Sequence, residues 1–140
     1  IMASMGLVQL KRYNKILDRR KEIVNIYDSA FRNQNLQVLN HIDGTSESSC
    51  HLYLVRILDR TEEYRNKVIE KMAELGISTN VHYKPLPMLT AYKNLGFDIK
   101  NYPNAYKMYC NEITLPLNTL LTDDDVEIVV QELLKIIDKL

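Results

Sequence analysis

No glycine-rich loop that could cradle a phosphate is present, because the four glycines, Gly6, Gly44, Gly76 and Gly96, are all isolated. Cysteine is equally scarce. Cys50 and Cys110 are too few and too far apart to form a disulfide framework, and in a reducing compartment they would be two free thiols. No His-x-x-x-His or Cys-x-x-Cys spacing appears, so no metal site is expected. Neither sign of charge is in excess, with eighteen basic residues against eighteen acidic ones. That balance argues against a nucleic-acid arm and against an electrostatic membrane binder, both of which need a basic surplus. No apolar run approaches the roughly 20 residues that span a bilayer. The start, Ile1-Met2-Ala3-Ser4-Met5-Gly6, lacks the charged and apolar stretches of a signal peptide. Beginning on Ile, it is expected to be a cut made inside a longer chain. These absences lead to the expectation of a soluble cytoplasmic domain.

What is present suits one domain. A chain of 140 residues with 46% hydrophobic and 26% charged residues can bury a core without staples. From about Ala3 to Arg32 the pattern is helical: Leu10, Leu17, Val24 and Phe31 repeat every seven residues, and charges fill the opposite side. This helix is long for a small domain and is expected to link two domains, giving a linking helix over 1–32 and a body over 33–140. Short strands are expected over Gln37–Ile42, Cys50–Leu58, Ile77–Tyr83 and Ile113–Leu117, the second central in its sheet. Thr61 should cap a helix with Tyr64, Val68, Met72 and Leu75 as its buried stripe, and Gly76 should end it. Short helices follow over Met88–Leu95 and Pro103–Asn111. Thr122 with Asp123, Asp124 and Asp125 starts a final helix, whose apolar face reads Val126, Val129, Val130, Leu133, Ile137 and Leu140. The implied fold is α/β: a two-layer sandwich with a small mixed sheet, helices packed on it and a long N-terminal helix.

Few residues carry chemistry. Cys50 and His51, neighbours in an expected strand, point to opposite faces and cannot pair. The run Asp123-Asp124-Asp125 suits a helix start better than a metal. The exception is Val81-His82-Tyr83-Lys84-Pro85, where three polar side chains end a strand before a proline-fixed turn. The residues alone allow two readings: a cleft-lining edge, or a surface histidine beside a half-buried tyrosine.

Three stretches, in order, resemble one family. Gly6-Leu7-Val8-Gln9-Leu10-Lys11-Arg12, with Leu17-Asp18-Arg19-Arg20-Lys21-Glu22-Ile23 and Tyr27, is similar to the helix that leaves the large domain in DegT/StrS-type sugar aminotransferases. Gly76-Ile77-Ser78-Thr79-Asn80-Val81-His82-Tyr83-Lys84-Pro85-Leu86, then Ala91-Tyr92, resembles their G-I-x-x-x-V-H-Y-x-P-L…A-Y segment. Leu115-Pro116-Leu117, then Leu121-Thr122-Asp123-Asp124-Asp125-Val126, resembles the segment before their last helix. Two positions depart from the pattern: Pro87 stands where a second histidine often follows, and Thr119 where a proline is common. The first departure implies a subgroup with its own sugar preference.

The resemblance implies the C-terminal small domain of a fold-type I, pyridoxal 5'-phosphate (PLP)-dependent enzyme. Such enzymes move an amino group from glutamate to a nucleotide-linked keto-sugar, in the biosynthesis of surface polysaccharides or glycosides. The Schiff-base lysine and the cofactor-binding residues would belong to a large domain outside this chain, so no catalytic, cofactor-binding or metal residue is assigned here. The chain alone is expected to be inactive and to bind no PLP, and the parent to be a homodimer. His82, Tyr83 and Lys84 are the implied substrate contacts. The competing reading is a non-catalytic α/β module that binds a small ligand.

Overall fold

The computed structural model describes residues 2–32 and 34–140. Ile1 and Asn33, at the edges of the expected linking helix and body, lie outside the described residues. Helix α1 spans Met2–Phe31, close to the expected limits, but only its C-terminal half enters the core. Val24 and Phe31 of the heptad row are buried and Leu17 is half-buried, whereas Leu10 is 69% exposed. The reason is reach. Thirty residues of helix rise about 45 Å, far beyond strands of three to five residues.

Those strands are β1 (Leu36–Val38), β2 (Tyr53–Ile57) and β3 (Glu112–Leu115), in the order β1-β2-β3. Strand β2 is central, as its apolar run implied. The expected mixed sheet is antiparallel in both pairings, with Val38 opposite Val55 and Val55 opposite Ile113. The first expected strand stops early because Ile42 pairs instead with Glu47 across the 43–46 turn. Residues 77–83 form no strand. Only Asn80 bridges to Thr114, because the next two amides bond to side chains: Val81 N–H donates to Asn80 Oδ1 (2.7 Å) and His82 N–H to Glu112 Oε2 (3.1 Å). Such bonds compete directly with a ladder.

Helix α2 (Glu62–Glu74) is capped by the Thr61 hydroxyl, which accepts from Tyr64 N–H at 3.3 Å. Its end is a Schellman motif: Ile77 N–H reaches Met72 O at 3.0 Å, and Gly76 N–H reaches Ala73 O at 2.9 Å. Gly76 sits at φ +77°, where a side chain is strained. The buried stripe is Arg65, Val68 and Met72, with Tyr64 half-buried. Leu75, expected within it, is exposed because it is the residue at which the chain leaves the helix. Helices α3 (Thr90–Asn94) and α4 (Pro103–Tyr109) are short and bury none of their residues fully. Helix α5 (Asp123–Lys139) opens with a capping box between Thr122 and Asp125. It buries Val126, Val129, Val130, Leu133 and Ile136. Ile136 takes the place expected for Ile137, which is half-buried, and Leu140 is exposed at the end of the chain.

One core results. Tyr53, Val55 and Ile57 of β2, with Ile113 and Leu115 of β3, meet the apolar faces of α1, α2 and α5. Tyr27 is its hub: its ring lies 4.7 Å from that of Tyr53 and 6.0 Å from that of Phe31, and its hydroxyl donates to Pro116 O at 2.8 Å. Among the described residues, no helix is long and apolar enough to cross a membrane.

Candidate functional site

Alternation along β3 divides its side chains. Ile113 and Leu115 enter the helical core, so Glu112 and Thr114 take the other face, beside Arg56 and Leu54 of β2. The 80–82 segment lies along the free edge of β3, held by two backbone bonds between Asn80 and Thr114 of 3.2 and 2.8 Å. This brings His82 over Thr114. The His82 Nδ1 and Thr114 Oγ1 are 2.9 Å apart, and the Thr114 hydroxyl donates to Glu112 Oε1 at 2.6 Å. The second oxygen of Glu112 accepts the His82 backbone N–H. His82 is therefore tied to β3 twice, once by its ring and once by its amide.

Glu112 is 5% exposed. Burial pushes its carboxyl up from the usual range, while the Thr114 hydroxyl, the His82 amide and the charge of Arg65 pull it back down. Arg65 is itself buried, and its guanidinium donates to the backbone carbonyls of Tyr109 and Glu112 at 3.3 Å each. The polar floor under His82 is thus continuous from α2 to the free edge of the sheet.

Tyr83 follows across a cis peptide and turns outward. Its ring meets that of His82 edge-on at 4.6 Å and is 72% exposed. Lys84 is exposed and takes part in none of these contacts. After Pro85 the chain makes a 3-10 turn at Leu86–Met88, which contains the half-buried Pro87, and then enters α3. The structure therefore brings His82 and Tyr83 together at one polar edge and leaves Lys84 in solvent. It adds Glu112 and Thr114, which the sequence reading missed. Their signal was the alternation Glu112-Ile113-Thr114-Leu115, which puts two polar side chains on one face of a strand.

The other chemistry-bearing residues do not assemble. Cys50 and His51 precede β2 rather than lying in it. Cys50 is buried, which pushes its thiol up, and His51 is exposed beside Arg20. Asp125 serves the cap of α5, accepting from the Thr122 amide and hydroxyl at 2.8 and 2.7 Å. Among the described residues no group of His, Cys, Asp or Glu could hold a metal ion. Nor is PLP fitted by these residues. Lys84 is exposed, and Lys21, beside a small cavity, is ion-paired with Glu47.

Comparison with known proteins gives the family and the fold. Residues 1–134 match the DegT/DnrJ/EryC1/StrS aminotransferase family. The fold superimposes with a TM-score of 0.96 on Spr1654 from Streptococcus pneumoniae, a protein assigned as a sugar aminotransferase. The two are 52% identical, over 99% of this chain and 35% of that one, and Spr1654 has been solved in apo, PLP and PMP forms. The UDP-4-amino-4,6-dideoxy-N-acetyl-beta-L-altrosamine transaminase of Campylobacter jejuni is 30% identical over 99% of this chain and 37% of its own length. An uncharacterized protein of Methanocaldococcus jannaschii, MJ1066, is 37% identical over 99% of this chain and 36% of its own. The chain thus spans little more than a third of the length of these relatives. It belongs to the DegT/DnrJ/EryC1/StrS aminotransferase family.

Proposed function

We propose that this chain is the C-terminal small domain of a PLP-dependent aminotransferase acting on a nucleotide-linked keto-sugar. The observation that carries the reading is the family match over residues 1–134, joined to the close fit to Spr1654. Relatives named for UDP-, dTDP- and GDP-linked sugars support a nucleotide-sugar substrate. A spore coat polysaccharide biosynthesis protein of Bacillus subtilis among them supports a place in polysaccharide or glycoside assembly.

In this reading PLP supplies the electron sink that lets an amino group move between two carbon skeletons. The group is held by the rest of the parent, since the residues of this chain do not fit it. Glutamate is the proposed amino donor, the parent is a homodimer in the cytoplasm, and this chain alone is inactive. The exposed N-terminal half of α1, with Met5, Val8 and Leu10 unburied, is the proposed link to the large domain. The chain's own task is to wall one side of the cleft. His82 Nε2 and the Tyr83 hydroxyl, which have no partner among the described residues, are the groups free to hydrogen-bond the sugar. Lys84 is the weaker contact, because a solvated ammonium on a flexible stem orients a substrate poorly.

The test is direct. The full-length parent, loaded with PLP, is offered glutamate with UDP-, dTDP- and GDP-linked 4-keto-sugars. Amino-sugar formation from at least one of them is expected, and the 140-residue chain should show neither turnover nor cofactor absorbance. A parent that binds PLP yet aminates none of the three would overturn the reading.

A further inference from the structure

We infer that Glu112 and Thr114 are positioning residues that hold His82 with its proton on Nδ1, leaving Nε2 as an acceptor for a sugar hydroxyl. This inference rests on the proposed function and deepens it.

The Glu112 carboxylate meets two donors, the His82 backbone N–H at 3.1 Å and the Thr114 hydroxyl at 2.6 Å. The latter distance suits a hydroxyl bonded to an ionised carboxylate. A threonine has one hydroxyl proton and two lone pairs. With that proton given to Glu112, Oγ1 faces the imidazole only as an acceptor, so the ring nitrogen at 2.9 Å must bring the hydrogen. The neutral imidazole then carries its proton on Nδ1 and its lone pair on Nε2. A sugar hydroxyl can donate to that lone pair, whereas a fully ionised phosphate oxygen has no proton to give. Between the hydroxyl groups of a nucleotide-sugar and its ionised diphosphate, the geometry therefore assigns His82 to a hydroxyl, as the proposed sugar contact requires.

The direction of the chain rests on the charge of Glu112, and a neutral amide would reverse it. In Glu112→Gln the side-chain oxygen must still accept the His82 N–H, so the NH2 faces Thr114. The hydroxyl would then turn round and donate to Nδ1, forcing the imidazole proton onto Nε2. The shape is kept while the acceptor becomes a donor.

The experiment uses the PLP-loaded parent and the nucleotide-linked 4-keto-sugar it turns over fastest among the UDP, dTDP and GDP forms. In a two-stage transamination, kcat/KM for the sugar and kcat/KM for the amino donor report separate half-reactions. Thr114→Val and Glu112→Gln should each lower the sugar value about fivefold, the worth of one hydrogen bond, and leave the donor value unchanged. Thr114→Ser, which keeps the hydroxyl, should restore it. His82→Ala serves as the reference. If it lowers the sugar value while Thr114→Val and Glu112→Gln do not, the positioning role is wrong and the site reading stands. If His82→Ala itself leaves the sugar value unchanged, the site reading fails. A parallel fall in both values would mean a merely structural role and would also overturn the inference.

Discussion

The guanidinium of Arg65 lies over the ring of Tyr109, 4.8 Å from its centroid, and both side chains converge on Glu62. The Tyr109 hydroxyl donates to Glu62 Oε1 at 2.8 Å, while Arg65 Nη2 stands 3.5 Å from the same oxygen. Arg65 therefore joins α2 to α4 and, through the Glu112 carbonyl, to β3. Removing it leaves the buried Glu112 carbonyl and the part-buried Tyr109 carbonyl without this donor, and a carboxylate without its cation. Arg65→Ala should cost about 3 kcal/mol or more, and Arg65→Lys should recover only part, because an ammonium lacks the planar fork. Urea unfolding of the three proteins measures this. A loss below 1 kcal/mol in the alanine variant, about the worth of an exposed ion pair, would contradict it.

Gly76 isolates a backbone cost. A Cβ at this position meets nothing within 4 Å, yet φ is +77°. Gly76→Ala should therefore destabilise by about 1–2 kcal/mol through conformation alone. Gly76→Asn should cost less, since asparagine tolerates this region. Thermal melts of both variants give the comparison.

Thr122 and Asp125 hold the start of α5 reciprocally, the Thr122 hydroxyl accepting from Asp125 N–H at 3.2 Å and Asp125 Oδ2 accepting from Thr122 N–H at 2.8 Å. At the start of α2, Thr61 makes only the hydroxyl half of such a pair. Thr122→Ala should cost about 1–2 kcal/mol, and more than Thr61→Ala. Equal losses would show that the reciprocal bond adds nothing.

Asp43 binds its own turn. Its Oδ1 accepts from the Thr45 amide and hydroxyl at 2.9 and 2.8 Å and from the Ser46 amide at 2.8 Å, which lowers its pKa to about 2. A carboxyl depressed in the folded state stabilises it above the unfolded value of about 4. That contribution is lost as pH falls from there toward about 2. Carboxyl-carbon NMR should follow Asp43 to a midpoint about two units below the free value, and Thr45→Ala should raise it. A midpoint near 4 would show that the turn does not form in solution.

Much of this could be read from the chain because it is local. Thr61, Gly76 and the Thr122–Asp125 pair act within a few residues of themselves, so spacing revealed them. The His82-Tyr83 edge was legible as three polar side chains before a proline. The alternation marked Glu112 and Thr114 as sharing a face, but not their link to His82, since those bonds cross 30 and 32 residues and depend on the 80–82 segment lying along β3. Arg65 was missed for a related reason: a charged side chain on a helix reads as solvated until its distant acceptors are known. The strand expected over 77–83 failed because Asn80 and Glu112 bind the amides a ladder would have used. The heptad of α1 marked the helix but not the extent of its burial, because periodicity says nothing about how far the sheet beneath a helix extends.

The proposed role of His82 is to wall the sugar side of an aminotransferase cleft. It is tested by measuring kcat/KM for the nucleotide-linked keto-sugar and for glutamate in the PLP-loaded parent and its His82→Ala variant. A fall of about tenfold is expected for the sugar, of the order of one well-placed hydrogen bond, with no change for glutamate. An unchanged sugar value would contradict it.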